Sequence, residues 1–567
     1  MSLSQLTMTF CVGLLAAMAV QPAPASEEGT SIDARARRFI QHYETNIRPL
    51  EIEVNRCYWA ANVTGAEKDF ERKQQAEEKL DLKLSDKEQF AELKAIRHAG
   101  VSDPILAREI DIAYLIYLER QIPSELIKKM STKANVIQRA FNVFRPTVDG
   151  KQLSDNDVRR VLTGSRDSQK RRAVWEASKM VGPVVLADLK QLIAMRNEAA
   201  RKLGFENYYA MRLYLGEQDK QQVLKLFDDL DKLTREQFHQ AKFEIDAALA
   251  ENYSIPVDEL RPWHYHDPFF QEVPAVQGEL PTAVYKNLDI AKLAQKFYDG
   301  IGLPIDDLTP RCDLYERPGK NPHAFCQDMN REGDVRVLEN IVPTGEWTRT
   351  TLHEFGHAVY SKNIPRSLPY LLRVEAHTLC TEGVAMMFER NARNVDWLMA
   401  MGVQVPEPDR YRASSAKFQR NRLLVFSRWA QVMVRFEMGL YANPDQDLNR
   451  LWWDLVEKYQ EVKRPEGRDE PDFAAKYHIV GAPVYYHNYA MGEMFASQME
   501  HAMLRSITAA SAAAPTTYAG NKAVGQFMRD RVFKPGLSVD WNGLARYVTG
   551  QDLSPTAFAE DLKAAGK

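Results

Sequence analysis

The chain has few cysteines, five in 567 residues, so no disulfide scaffold organises it. Glycine and proline are sparse at 28 each, few breakers for this length, which favours long helices. An excess of charge of either sign is also lacking. Lys+Arg is 74 and Asp+Glu is 77, a net charge of −3, and nucleic-acid binding, which needs a basic surplus, gains no support. Hydrophobic residues at 45% and charged residues at 27% exclude a disordered or collagen-like chain.

Long apolar runs are missing too. The one candidate, Phe10–Val20, is well short of the ~20 residues that span a bilayer. It is followed by Gln21-Pro22-Ala23-Pro24-Ala25-Ser26, so it reads as the core of an export signal with an A-x-A cleavage site ending at Ala25, although no Lys or Arg precedes it. The expectation is a signal peptide over 1–25 and an exported, periplasmic or secreted mature chain over 26–567, with no stable membrane insertion.

What is present is mostly helical patterning. Leu106, Ile110, Ala113 and Tyr117 recur at helical spacing, Ser154–Asp157 before Val158 signals a helix start, and Gly204 signals a stop after Arg196–Leu203. The stretch 253–325 is richer in proline and aromatics and reads as irregular. Residues 311–340 alternate and carry Pro318-Gly319 and Glu332-Gly333-Asp334, which predicts a short hairpin or two. Ile507–Asn521 reads as a surface loop.

Residues 353–357 are His-Glu-Phe-Gly-His. On a helix, His353 and His357 share one face and can reach one ion, while Glu354 can hold a water beside it. Leu352, Phe355, Ala358 and Val359 make a buried helix, and Thr348, Thr350 and Thr351 offer capping oxygens. The plain alternative is a buried helix with two satisfied histidines. A catalytic zinc takes three protein ligands. A third histidine at the metzincin spacing would fall at Asn363, so Glu382 is assigned as third ligand: its neighbours are apolar, and ligation removes the cost of a buried carboxylate. Glu375 and Glu389 are read as supporting groups or surface charges. The expected cofactor is one Zn2+, with Glu354 as general base.

Lys476, His478, Tyr485, Tyr486, His487 and Tyr489 crowd into one segment. It is either an aromatic core segment or a set of neutral donors with a lysine for a substrate carboxylate. Asn321–Cys326, containing His323 and Ala324, reads as an extended strand able to pair with a peptide backbone. Cys312 and Cys326 bracket it, as a possible disulfide worth ~3 kcal/mol or as two buried thiols.

These residues resemble the angiotensin-converting-enzyme type of peptidyl-dipeptidase, with features of the thimet oligopeptidase and oligoendopeptidase F group. The resemblance rests on 196–205, His323-Ala324, HEFGH with Glu382, Lys476-Tyr477-His478 and the tail 545–558. It implies a mainly α fold, a two-lobed helical ellipsoid (roughly 26–310 and 311–567) around a deep channel, with a small β-hairpin near the zinc helix. It also implies that His353, His357 and Glu382 bind zinc and that His323 and His478 hydrogen-bond substrate. Ala324 would pair through its backbone, Lys476 and Tyr485 would hold the C-terminal carboxylate, and Tyr489 would polarise the scissile carbonyl. Peptides are the implied substrates, cleaved to C-terminal dipeptides or, alternatively, endo-proteolytically; an inactive binding protein on the same fold is the remote alternative. The chain departs from the family at four places. Asn488 stands where a second tyrosine is expected, His487 where an arginine tied to chloride is expected, and Met386 where an aspartate supporting a zinc histidine is expected. A carboxylate-holding glutamine is read as replaced in the Trp263–Phe270 region, with Tyr265 the candidate.

Overall fold

Asp or Ser side chains start many of the helices, each accepting hydrogen bonds from the free N–H groups of the first turn. A computed structural model of the chain describes residues 31–274, 281–509 and 517–564. The export-signal expectation over 1–25 lies outside them. Among the described residues the fold is mainly α, with four short strands in two antiparallel hairpins. No described helix is long and apolar enough to cross a membrane.

Two helices, Glu67–Leu84 and Lys87–Ala99, separate α1 (Arg48–Thr64) from α2 (Pro104–Glu119), in which Leu106, Ile110, Ala113 and Tyr117 are all buried, as their spacing predicts. A minimal hairpin, β1 (Thr147–Val148) and β2 (Lys151–Gln152), precedes α3 (Asp155–Gly164). The expected start of α3 is a reciprocal cap: Ser154 Oγ accepts from the Asp157 N–H, and the Asp157 carboxylate accepts from the Ser154 N–H. Helix α4 (Val181–Lys202) ends two residues before Gly204, whose φ of 89° only glycine adopts freely.

The stretch expected to be irregular contains α5 (Ile290–Gly300). Asp289 caps it, and Ile290, Leu293, Ala294, Phe297 and Tyr298 form its buried stripe. The expected hairpin is β3 (Phe325–Asp328) against β4 (Val335–Leu338), in register Phe325↔Leu338 and Cys326↔Val337, turning through Glu332-Gly333-Asp334. The segment read as a surface loop begins inside a helix. Its residue Tyr518 is buried, bonded to Asn391 Nδ2 at 2.9 Å and to the Met387 carbonyl at 3.1 Å.

Three helices build the centre: α6 (Gly345–Asn363), α7 (Thr378–Glu389) and, after the 35-residue α8 (Pro408–Ala442), α9 (Tyr486–Ala509). The last labelled helix is α10 (Thr556–Ala564). Glycines set how close these helices come. A Cβ at Gly356 would lie 2.8 Å from Ala385 Cα, and one at Gly383 would lie 2.9 Å from the Gly492 carbonyl oxygen. One large core runs from Ile137 to Leu562, and a smaller one joins the N-terminal helices to Tyr370–Leu372. Helix α1 is tied to the β3–β4 hairpin, with Asn55 Nδ2 donating to the carbonyls of Asp328 and Met329 at 3.3 Å.

Candidate metal centre

The close approach of α6 and α7 brings His353, His357 and Glu382 together. Their ligand atoms all lie within 4.8 Å of one another. The two Nε2 atoms are 3.1 Å apart, and His353 Nε2 is 3.5 Å from Glu382 Oε2. A tetrahedral ion with ~2.0–2.1 Å bonds has ligand edges of about 3.3 Å, so the spacing suits one divalent cation. The polar bookkeeping agrees. Glu382 Oε1 accepts from the Tyr485 hydroxyl at 3.1 Å, while the buried Oε2 accepts no hydrogen bond. A buried carboxylate oxygen left without a partner is costly, and a cation removes that cost.

The outer nitrogens are fixed as a metal histidine requires. Nδ1 of His353 is 2.9 Å from Glu389 Oε2, and Nδ1 of His357 is 2.7 Å from Thr381 Oγ1. Support therefore comes from Glu389, two turns past Glu382, and from Thr381 just before it, while Met386 only lines the cleft. Burial opposes charge on Glu389, but Arg349 and the His353 hydrogen bond hold its carboxyl well below the usual range. Burial likewise works against a charged His353, yet Glu389, Glu354 and Glu382 raise it to about 9, while burial and the neighbouring His353 push His357 well below its usual value. Burial also raises Glu354 to about 7, opposed by His353 and reinforced by Glu382 and Glu389. The cap of α6 is Thr344, whose Oγ1 accepts from the Trp347 N–H at 3.2 Å. Of the threonines expected in that role, Thr351 bonds Glu339 at 3.0 Å and Thr348 bonds the Thr344 carbonyl at 2.9 Å.

Glu354 faces a cavity of about 770 Å3 also lined by Ala324, Cys326, Arg349, Tyr485 and Tyr489. A second cavity of about 470 Å3 shares Arg331, Glu375, Thr381 and Tyr485 with it. Ala324 thus stands where a strand edge could meet a ligand. His323 is exposed and is not among the residues lining this cavity.

A second cluster forms around Lys476. Its Nζ is buried, donates to Gln271 Oε1 at 2.6 Å, and lies 5.1 Å from the Trp429 ring, 5.3 Å from Phe269 and 5.7 Å from Tyr486. No carboxylate lies within 4.0 Å of it among the described residues, and burial lowers it to about 8. The His478 ring lies 5.1 Å from that of Tyr486, tilted 53° to it; burial and then Lys476 lower it to about 4, so it is neutral at pH 7.

Three readings of the sequence change here. Tyr485 does not stand with Lys476, because its hydroxyl is on Glu382; the tyrosine against Lys476 is Tyr486. The cause is local: Val484 has a φ of 56°, its N–H is held by Glu437 Oε1 at 2.9 Å, and α9 begins only at Tyr486. Tyr486 and Tyr489 are then three apart on one helical face. Tyr265 does not stand where the glutamine is expected: Lys242 and Asp246 hold its hydroxyl, both at 2.9 Å, and a glutamine, Gln271, meets Lys476 instead. Cys312 and Cys326 are free thiols. Cys312 Sγ is engaged with the Leu308 carbonyl and the Val337 N–H, both at 3.3 Å, and burial raises both thiols. His487 is buried with Nε2 2.7 Å from Gln218 Oε1, and Gln218 Nε2 donates to Asn488 at 2.9 Å, a neutral network where a charged arginine was expected.

Comparison with known proteins points the same way. The family model described as angiotensin-converting enzyme matches residues 30–560. An angiotensin-converting enzyme-like protein, Ace3, of Mus musculus is 21% identical over 575 residues, covering 94% of this chain and 76% of that protein. The angiotensin-converting enzyme of Theromyzon tessulatum is 22% identical over 289 residues, 49% of this chain and 46% of the enzyme, so less than half of that relative's length is matched. Oligopeptidase A of Escherichia coli (strain K12) is 25% identical over 263 residues, 37% of this chain and 37% of that protein.

Proposed function

The chain belongs to the angiotensin-converting enzyme family of peptidases, and from that premise we propose that it is a zinc metallopeptidase releasing C-terminal dipeptides from short peptides. His353, His357 and Glu382 would hold the ion. Zinc there would supply a Lewis acid that polarises a carbonyl and acidifies water toward pKa ~7.

The remaining chemistry belongs to the protein. Glu354, buried and raised toward neutrality, takes a proton from the attacking water and returns it to the leaving amine. Tyr489 lines the same cavity and offers a neutral hydroxyl to the developing oxyanion. The edge at Ala324 pairs with the substrate backbone. Lys476, Gln271 and Tyr486 hold the free C-terminal carboxylate, with neutral His478 donating nearby.

The observation that carries dipeptide release is Lys476, a buried ammonium with an amide and three aromatic rings around it, no carboxylate within 4.0 Å among the described residues, and Asp267 and Glu272 acting on it only from farther off. An enzyme that removes C-terminal residues needs such a group. The second reading, an endo-acting oligopeptidase, is favoured by the adjoining cavities on either side of Tyr485. Matched peptides with free and amidated C-termini separate the two, with product masses recorded with and without a chelator. Equal rates on both peptides would sink the dipeptidase reading, and undiminished cleavage under chelation would sink the metal. We further propose that residues 26–567 act as one peptidase domain exported after cleavage near Ala25; the N-terminal sequence of the mature protein tests this.

A further inference from the structure

The support of His353 does not stop at Glu389. Glu389 is almost wholly buried and spends both oxygens: Oε2 accepts from Arg349 Nη1 at 2.6 Å as well as facing His353, and Oε1 accepts from Arg422 Nη2 at 3.3 Å. The same Arg422 nitrogen lies 3.8 Å from Glu493 Oε1 on α9. Glu493 Oε2 is held by Arg390 Nη2 at 2.7 Å. Arg390 continues to Glu500 at 3.3 Å and to Asp561 on α10 at 3.8 Å, and Asp561 ends at the partly exposed His501, 2.7 Å away. Charges alternate in sign without a break from the metal histidine to the C-terminal helix.

Arrangement, rather than charge count, gives this chain its consequence. A carboxylate can turn about its last bond, and when it turns the imidazole hydrogen-bonded to it loses its orientation. Two guanidinium groups, each giving one nitrogen to a different oxygen of Glu389 and held elsewhere by Glu346 and Gln419, remove that freedom, because each guanidinium is planar and rigid. Arg422 is itself placed by Glu389 and Glu493, and Glu493 by Arg390. Buried ion pairs of this kind add little net stability over an apolar core, so holding a geometry is the more economical account of them.

We propose that Arg422, Glu493, Arg390 and Asp561 are positioning residues of the metal centre, forming an ion-pair relay by which the docked C-terminal helix fixes the orientation of His353. The inference rests on the metal reading of His353, His357 and Glu382.

The test measures zinc affinity of the full-length chain by competition with a chromophoric chelator, and the melting temperature of the same proteins in EDTA. Arg422→Gln is expected to weaken zinc about tenfold or more, the range seen for outer partners of metal histidines. Arg422→Lys, which keeps the charge and loses the fork, is expected to recover part of it. Asp561→Asn, at the far end, is expected to weaken zinc by a smaller but resolved factor. Affinity within twofold of wild type in Arg422→Gln overturns the clamp. A loss there with none in Asp561→Asn overturns the link to α10. A fall in EDTA melting temperature with unchanged zinc affinity assigns the network a purely structural role and also overturns the proposal. If Arg422→Gln does not fold, the Arg422→Lys and Asp561→Asn affinities decide. Failure of the wild-type chain to bind zinc at all would instead sink the metal reading.

Discussion

The hydroxyl of Tyr485 donates to Glu382 at 3.1 Å, which commits Tyr485 to the metal side of the cleft and leaves Tyr486 to stand against Lys476. The two neighbours in sequence therefore predict different phenotypes. Tyr486→Phe is expected to raise KM about tenfold or more for peptides with a free C-terminus, since a hydrogen bond to a charged group is worth ~1.5–3 kcal/mol. Zinc affinity should not move. Tyr485→Phe is expected to do the reverse, weakening zinc with little change in KM. Steady-state kinetics and chelator competition on both variants check the pair; a common phenotype would return both tyrosines to one role.

Glu354→Gln is expected to keep its zinc and lose ~10²–10⁴-fold in kcat, the range for a general base. Metal content by atomic absorption alongside kcat on one peptide is the check. Near-normal turnover in the zinc-loaded variant would remove Glu354 from proton transfer.

Lys476 makes a pH prediction. Burial lowers its ammonium to about 8, so below that pH it is protonated and can hold a carboxylate, and above it the charge is lost. For free-carboxyl peptides kcat/KM is expected to fall as pH rises through about 8, while amidated peptides lack that limb. Lys476→Ala should erase the difference between the two profiles. Parallel profiles in the wild type would contradict the assignment.

Gly356 makes a stability prediction. A methyl there would press on Ala385 Cα at 2.8 Å, backbone that cannot yield as a flexible side chain does. Gly356→Ala is expected to destabilise the apo-protein by ~1–3 kcal/mol in urea unfolding and to weaken zinc by moving Glu382 away from His353. An unchanged midpoint would show that α6 and α7 have slack.

Much of the ligand set could be read from the sequence, because four-residue spacing on a helix is a local property. His353, His357 and Glu354 follow from the period alone, and Glu382 from the cost of burying a carboxylate among apolar neighbours. The rest was hidden for physical reasons. Gln271 and Lys476 meet across 205 positions of chain. Glu389, which the sequence reads as a supporting group or a surface charge, is the former, because Arg349 on α6 and Arg422 on α8 converge on it. The sequence puts Tyr485 rather than Tyr486 beside Lys476 because the start of a helix decides which residue faces which way, and the left-handed turn at Val484 carries no glycine to announce it. Helix α5 is illegible in the sequence because the flanking prolines and aromatics mask its short apolar stripe.

Asn55 gives the cleft a ruler. It already occupies the carbonyls of Asp328 and Met329, so the backbone edge that opens at Ala324 is closed off a few residues later. A ligand lying along that edge meets a fixed stop, and α1 forms part of the wall above it. If peptides lie along that edge, as proposed, the Asn55 contacts mark how far such a strand can run before it meets α1.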